Sequence, residues 1–75
     1  NIAYELAYGS HVKIAIHDMN GRLIRTLVDH SQPPGYKNVT WDGKDSKSKT
    51  VAAGVYIYTI EAGPFRSMKK MLFLK

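Results

Sequence analysis

The residues best suited to chemistry in this chain are the stretch Asp42-Gly43-Lys44-Asp45-Ser46, the histidines His11, His17 and His30, and the aromatic side chains. The Asp42–Ser46 stretch has the oxygens a calcium loop would use. An EF-hand loop needs oxygen ligands at alternate positions and a distal glutamate. Here the two carboxylates stand three positions apart, Lys44, Lys47 and Lys49 intrude, and the next glutamate is Glu61. The Asp42 carboxylate is better placed to accept backbone N–H bonds and shape the turn that follows it. On one extended strand His11 and His17 would lie ~20 Å apart, too far to share a zinc ion. The histidines read as surface residues. Ser10-His11, His30-Ser31 and Asp29 supply the residue types of a nucleophilic triad without the convergence that activation requires. No catalytic residue, metal or cofactor is therefore expected, and the chain does not read as an enzyme.

Trp41, the single tryptophan, has two uses. It can be a platform for a sugar or a base, or a core aromatic between packed sheets. Val39 shares its face, which favours the core. Alternation puts Tyr4, Tyr56 and Tyr58 in or near the core as well. Tyr8 and Tyr36 stand beside loops and are the candidates for glycan contact. The basic residues number 11 against 6 acidic ones, a net charge of +5. Lys44, Lys47 and Lys49 share one loop, Arg22 and Arg25 flank a turn, and Arg66, Lys69, Lys70 and Lys75 gather late in the chain. Single-strand nucleic-acid binders interleave such charges with stacking aromatics. Only Phe65 lies near the late cluster, so no nucleic-acid partner is expected, and the lysines read as solvated side chains that blunt sheet edges.

At 75 residues the chain is one domain, residues 1–75, and a chain of this size buries only ~60% of its unfolded surface. It has no cysteine, hence no disulfide framework. No apolar run approaches the ~20 residues of a membrane span. The first residues are already strand-like and lack the pattern of a leader, so the domain is expected to be cut from a longer protein.

The elements that must hold these residues are strands. Ala53–Ala62 is the longest apolar stretch, bounded by Gly54 and Gly63-Pro64, and both its faces are apolar. This pattern predicts a central strand covered on both sides. Asn1–Leu6 alternates, with Ile2, Tyr4 and Leu6 on one face. His11–Asp18 alternates too, with Val12, Ile14 and Ile16 inward, and Met19-Asn20-Gly21 marks a hairpin. Arg22–Val28 has apolar residues at Leu23, Ile24, Leu27 and Val28, a spacing that fits a short helix almost as well as a strand. The preceding turn favours a strand with a bulge. Asp29–Gly35 reads as loop, Tyr36–Trp41 as a strand, and Val51-Ala52-Ala53 as a short edge piece. Phe65–Lys75 closes the chain, its run Met71-Leu72-Phe73-Leu74 predicting a strand with neighbours on both faces. About seven short strands with turn signals every 8–12 residues indicate an all-β antiparallel sandwich, immunoglobulin-like but without the disulfide.

Three stretches together carry a resemblance. They are Val12 to Leu27 through the hairpin; Gly35 followed by Val39-Thr40-Trp41-Asp42-Gly43; and Val51 to Tyr58 with Lys69 to Lys75. In this order and spacing the chain resembles the FlgD-like immunoglobulin-like domain. It is similar, too, to the C-terminal sorting domains of the type IX secretion system. Two positions depart from the pattern: His17 precedes Asp18 where a tyrosine is usual, and Ser48 stands where the loop usually has a further glycine. Because a residue with a Cβ enters positive φ reluctantly, Ser48 is expected to disturb that loop.

The resemblance implies a non-catalytic module with Trp41, Asp42, Gly43, Gly54 and Tyr56 as structural motif residues. It implies a C-terminal sorting or anchoring domain on a secreted protein of a Gram-negative-type bacterium, behind an upstream catalytic domain and read by secretion machinery or a cell-surface component. Lys69, Lys70 and Lys75 are the expected recognition surface. The alternatives are a carbohydrate-binding or spacer module of a glycan-active enzyme, and a structural domain of a flagellar hook-capping protein.

Overall fold

The computed structural model describes residues 1–74 and contains six strands. They are β1 (Ile2–Leu6), β2 (Ser10–His17), β3 (Leu23–Gln32), β4 (Gly35–Val39), β5 (Gly54–Ala62) and β6 (Phe65–Phe73). β1 and β4 form a two-stranded antiparallel sheet; the other four form a sheet in the order β3-β2-β5-β6, also antiparallel throughout. The predicted sandwich is thus present with six strands. Val51-Ala52-Ala53 is not a strand: the Val51 amide bonds to the Gly43 carbonyl at 2.9 Å and holds the segment as loop.

The core lies between the sheets. Ile2 and Leu6 of β1 face Val12, Ile14 and Ile16 of β2, Val28 of β3, and Tyr56 and Ile60 of β5, with Trp41 among them. The alternation of β1 and β2 produces this directly, since residues two apart share a face. β2, more than β5, is the hub: its three inward residues are fully buried, and it pairs with both β3 and β5.

Three expectations need correction. β5 is interior to its sheet but covered on one face only. The two-stranded sheet cannot cover the far side, and Val55 remains 43% exposed there. The apolar run in β6 has no neighbours on both faces either. β6 is an edge strand; Met71 and Phe73 turn inward, whereas Leu72 and Leu74 are exposed. Asp29–Gln32 is not loop but the second half of β3, with Ser10, His11, Val12 and Lys13 opposite Gln32, Ser31, His30 and Asp29. At a sheet edge a pair can form between polar, exposed residues, so hydropathy gives no sign of it.

The helix-like spacing in β3 also has a physical cause. The register against β2 slips twice, passing over Leu27 and then Ile24. Each slip is a bulge, which re-aims the residues beyond it. Both skipped residues thereby pack on the core from a strand.

Candidate functional site

The motif residues meet at one end of the sandwich. Trp41 follows β4 and turns into the core. Its ring stands edge-on to Tyr56 with centroids 5.1 Å apart and lies tilted against Phe73 at 5.2 Å. Its indole N–H donates to the Lys44 carbonyl at 2.9 Å, so the polar handle of a buried ring is satisfied. The Tyr56 hydroxyl donates to the Ala52 carbonyl at 2.6 Å and ties β5 to the loop before it. Asp42 accepts from the Lys44 amide at 3.1 Å and from Arg25 Nη1 at 3.2 Å. The carboxylate therefore shapes its own turn and reaches the bulged stretch of β3. Gly54 opens β5 directly opposite Phe73.

Gly43 is the tightest point. It has φ +75°, and a Cβ built on it would lie 2.2 Å from Phe73 Cζ and 2.5 Å from Cε1. Glycine is required twice over, by the backbone angle and by the ring against it. Phe73 was not singled out from sequence; the only signal was its place two residues after Met71, on the inward face.

The loop beyond Gly43 repeats a device used earlier in the chain. In the β2–β3 hairpin, Asp18 Oδ1 accepts from the amides of Asn20 and Arg22, both at 2.9 Å. The Gly21 amide donates to the Asp18 carbonyl and the Asp18 amide to the Arg22 carbonyl, both at 3.0 Å. In Asp45–Lys49 the bonds are the same: Lys47 and Lys49 amides to Asp45 Oδ1, Ser48 amide to the Asp45 carbonyl, Asp45 amide to the Lys49 carbonyl. Gly21 has φ +85° and Ser48 has φ +64° at the matching position. The expected disturbance at Ser48 is absent; the serine accepts the left-handed backbone. Gly21 alone, and not Asn20, takes positive φ in the hairpin. The amide bonds, led by those from Arg22 and Lys49 respectively, hold the Asp18 and Asp45 carboxyls below the ordinary aspartate value. Both carboxylates in the calcium-like stretch are thus engaged with the protein's own N–H groups, and among the described residues no three histidine or acidic side chains gather as metal ligands.

The triad-like residues come closer together than expected. His11 bonds to Asp29, and Ser31 lies directly opposite His11 across β2 and β3. His11 and Asp29 are more than half exposed, and the histidine spends Nε2 on the carboxylate. His17 and His30 lie elsewhere in the strands. Tyr8 and Tyr36 are over four-fifths exposed but line separate hollows, Tyr8 with Leu6, Pro64 and Phe65, and Tyr36 with Ala3 and Asn38.

Lys69 and Lys70 are both exposed on β6. Lys69 pairs with Tyr58 on the inward face, and Lys70 with Ile57 on the outward face. They share an edge rather than one surface. Lys75 lies outside the described residues.

The family described as FlgD Ig-like domain matches residues 1–64. The chain belongs to that family. The FlgD Ig-like match takes in β1 to β5 with the Trp41 turn and stops one residue short of β6. No curated protein matches the chain. Family and fold together make this a small immunoglobulin-like module.

Proposed function

We propose that this domain is a non-catalytic sorting or surface-anchoring module, carried C-terminal to the catalytic region of a larger secreted bacterial protein. The observation that carries the reading is a division between two groups of residues. Trp41, Asp42, Gly43 and Tyr56 are used up in packing and turn formation, whereas Lys69 and Lys70 stand free on an uncovered strand edge. Recognition of a folded edge needs no bond-making chemistry. Export of a fused cargo protein tests this. Lys69→Gln with Lys70→Gln should lower export while Trp41 fluorescence reports an intact fold; unchanged export refutes the role of these lysines.

Membership of the FlgD Ig-like family favours a second reading, a structural domain of a flagellar hook-capping protein. The masses of the precursor and of the protein recovered from culture medium separate the two. A leader and a catalytic region in the precursor, with this domain lost on export, support sorting. A domain retained on the exported protein supports anchoring, or glycan binding if insoluble glycans capture it. A precursor without a leader supports the flagellar reading.

A further inference from the structure

The edges of the four-stranded sheet are unlike each other. β3 is bent by two bulges, and the loop after Trp41 reaches it through a 3.0 Å bond from the Ser46 amide to the Ile24 carbonyl. Bulges and covering loops are the usual protection of an edge. β6 has neither. Its nine residues pair with β5 without a register shift. Every second residue of such an outer strand turns its N–H and C=O away from the sheet. The long, straight edge carries Arg66, Lys69 and Lys70, with exposed Met68 and Leu72 between and beside them.

A second copy of this chain is a poor occupant in the three registers that pair most of β6 with itself. Antiparallel self-pairing in one continuous sheet must match residues of the same face. The register centred on Lys69 sets Lys69 against itself. Centring on Lys70 sets Lys70 against itself. Centring on Met68 sets Lys70 against Arg66 twice. Like charges directly opposite each other destabilise a strand pair. Nor does the chain hold a suitable segment of its own, since its six carboxylates, Glu5, Asp18, Asp29, Asp42, Asp45 and Glu61, all lie within the folded domain.

We propose that β6 accepts an extended acidic segment of another protein as an added strand, with carboxylates opposite Lys69 and Lys70 and apolar residues opposite Met68 and Leu72. Backbone hydrogen bonds supply the affinity and the flanking charges the choice of partner. The inference rests on the recognition role given to this edge above.

The test uses the nine-residue peptide Thr-Val-Thr-Glu-Glu-Val-Thr-Thr-Thr, which, paired antiparallel, sets its glutamates opposite Lys70 and Lys69 and its valines opposite Leu72 and Met68, and a control of equal charge with prolines at alternate positions. Proline removes the N–H that an added strand must donate. The first peptide should bind and slow amide exchange along β6. The control should not bind. Lys69→Gln with Lys70→Gln should weaken binding about tenfold, the effect of two cross-strand charge pairs. Equal binding of both peptides would reduce the edge to a polyanion site and overturn the proposal. So would protection mapping away from β6, or no binding at all. Loss of cargo export in the glutamine variant without peptide binding defeats the added strand and leaves the sorting role standing; peptide binding with unchanged export does the reverse.

Discussion

Replacing Gly43 by alanine tests the packing at the Trp41 end most directly. The new methyl group would fall 2.2 Å from Phe73 Cζ, and the backbone there has φ +75°. Holding a residue with a Cβ in the left-handed region costs roughly 1–2 kcal/mol. Loss of glycine's freedom in the unfolded chain returns about 0.4–1 kcal/mol. Displacing the ring from Trp41 adds an overpacking cost of about 1–3 kcal/mol. The sum is a loss of about 1.5–4 kcal/mol, against a total of about 4–11 kcal/mol for a chain of this length. Urea unfolding followed by the fluorescence of Trp41 measures it. Phe73→Leu supplies the partner variant, because leucine lacks the ring atoms that clash. In that background Gly43→Ala should cost only the backbone part, about 0.5–1 kcal/mol. The difference is a coupling energy between the two sites. An equal cost in both backgrounds would refute the claim that the Phe73 ring is what excludes a side chain at residue 43.

The two matching loops make a reciprocal prediction. Ser48→Gly should stabilise the domain and Gly21→Ser destabilise it, each by about 0.5–1 kcal/mol, read as opposite shifts in melting temperature. No atom stands within 4 Å of a Cβ at Gly21, so the effect there is one of backbone alone. The lowered values of Asp18 and Asp45 mean that their contribution is complete above the ordinary aspartate range and fades as the pH falls through the folded values. Melting temperature should therefore drop in acid below about pH 4, and Asp45→Asn should lower the melting temperature at neutral pH and flatten that drop. Lys70→Glu should turn the Lys70–Arg66 clash of the Met68-centred register into an attraction, giving concentration-dependent dimers in sedimentation experiments; a strictly monomeric variant would show that charge does not guard this edge.

The inner faces of β1 and β2 were legible because Ile2, Tyr4, Leu6, Val12, Ile14 and Ile16 alternate without a break, and one-sided burial dictates that period. Trp41 was legible as core because Val39 shares its face. What failed did so at edges and bulges. His30, Ser31 and Gln32 pair through their backbones while their side chains meet solvent, so nothing in their hydropathy distinguishes strand from loop. Leu72 and Leu74 looked buried because they are apolar, but Leu72 shares with Val55 the face turned away from the two-stranded sheet, and both leucines are exposed. At the candidate site, the role of Asp42 in its turn could be read from its place before Gly43. The Phe73 ring could not, because its partner lies far back in the chain. That Lys69 and Lys70 point to opposite faces follows from adjacency on a strand, and was hidden only by reading them as a charge cluster.

The lock formed by Gly43 and Phe73 also sets an order of events. The notch is made early in synthesis and the ring that fills it belongs to the last of the six strands. A chain made or threaded from its N-terminus holds β5 as a bare edge, and Trp41 without one of its two aromatic neighbours, until β6 arrives. Contacts of such long sequence separation form late and slowly. The domain thus carries its own check for completeness: a chain lacking β6 leaves the Trp41 end open, and any partner that drew β6 away would reopen it.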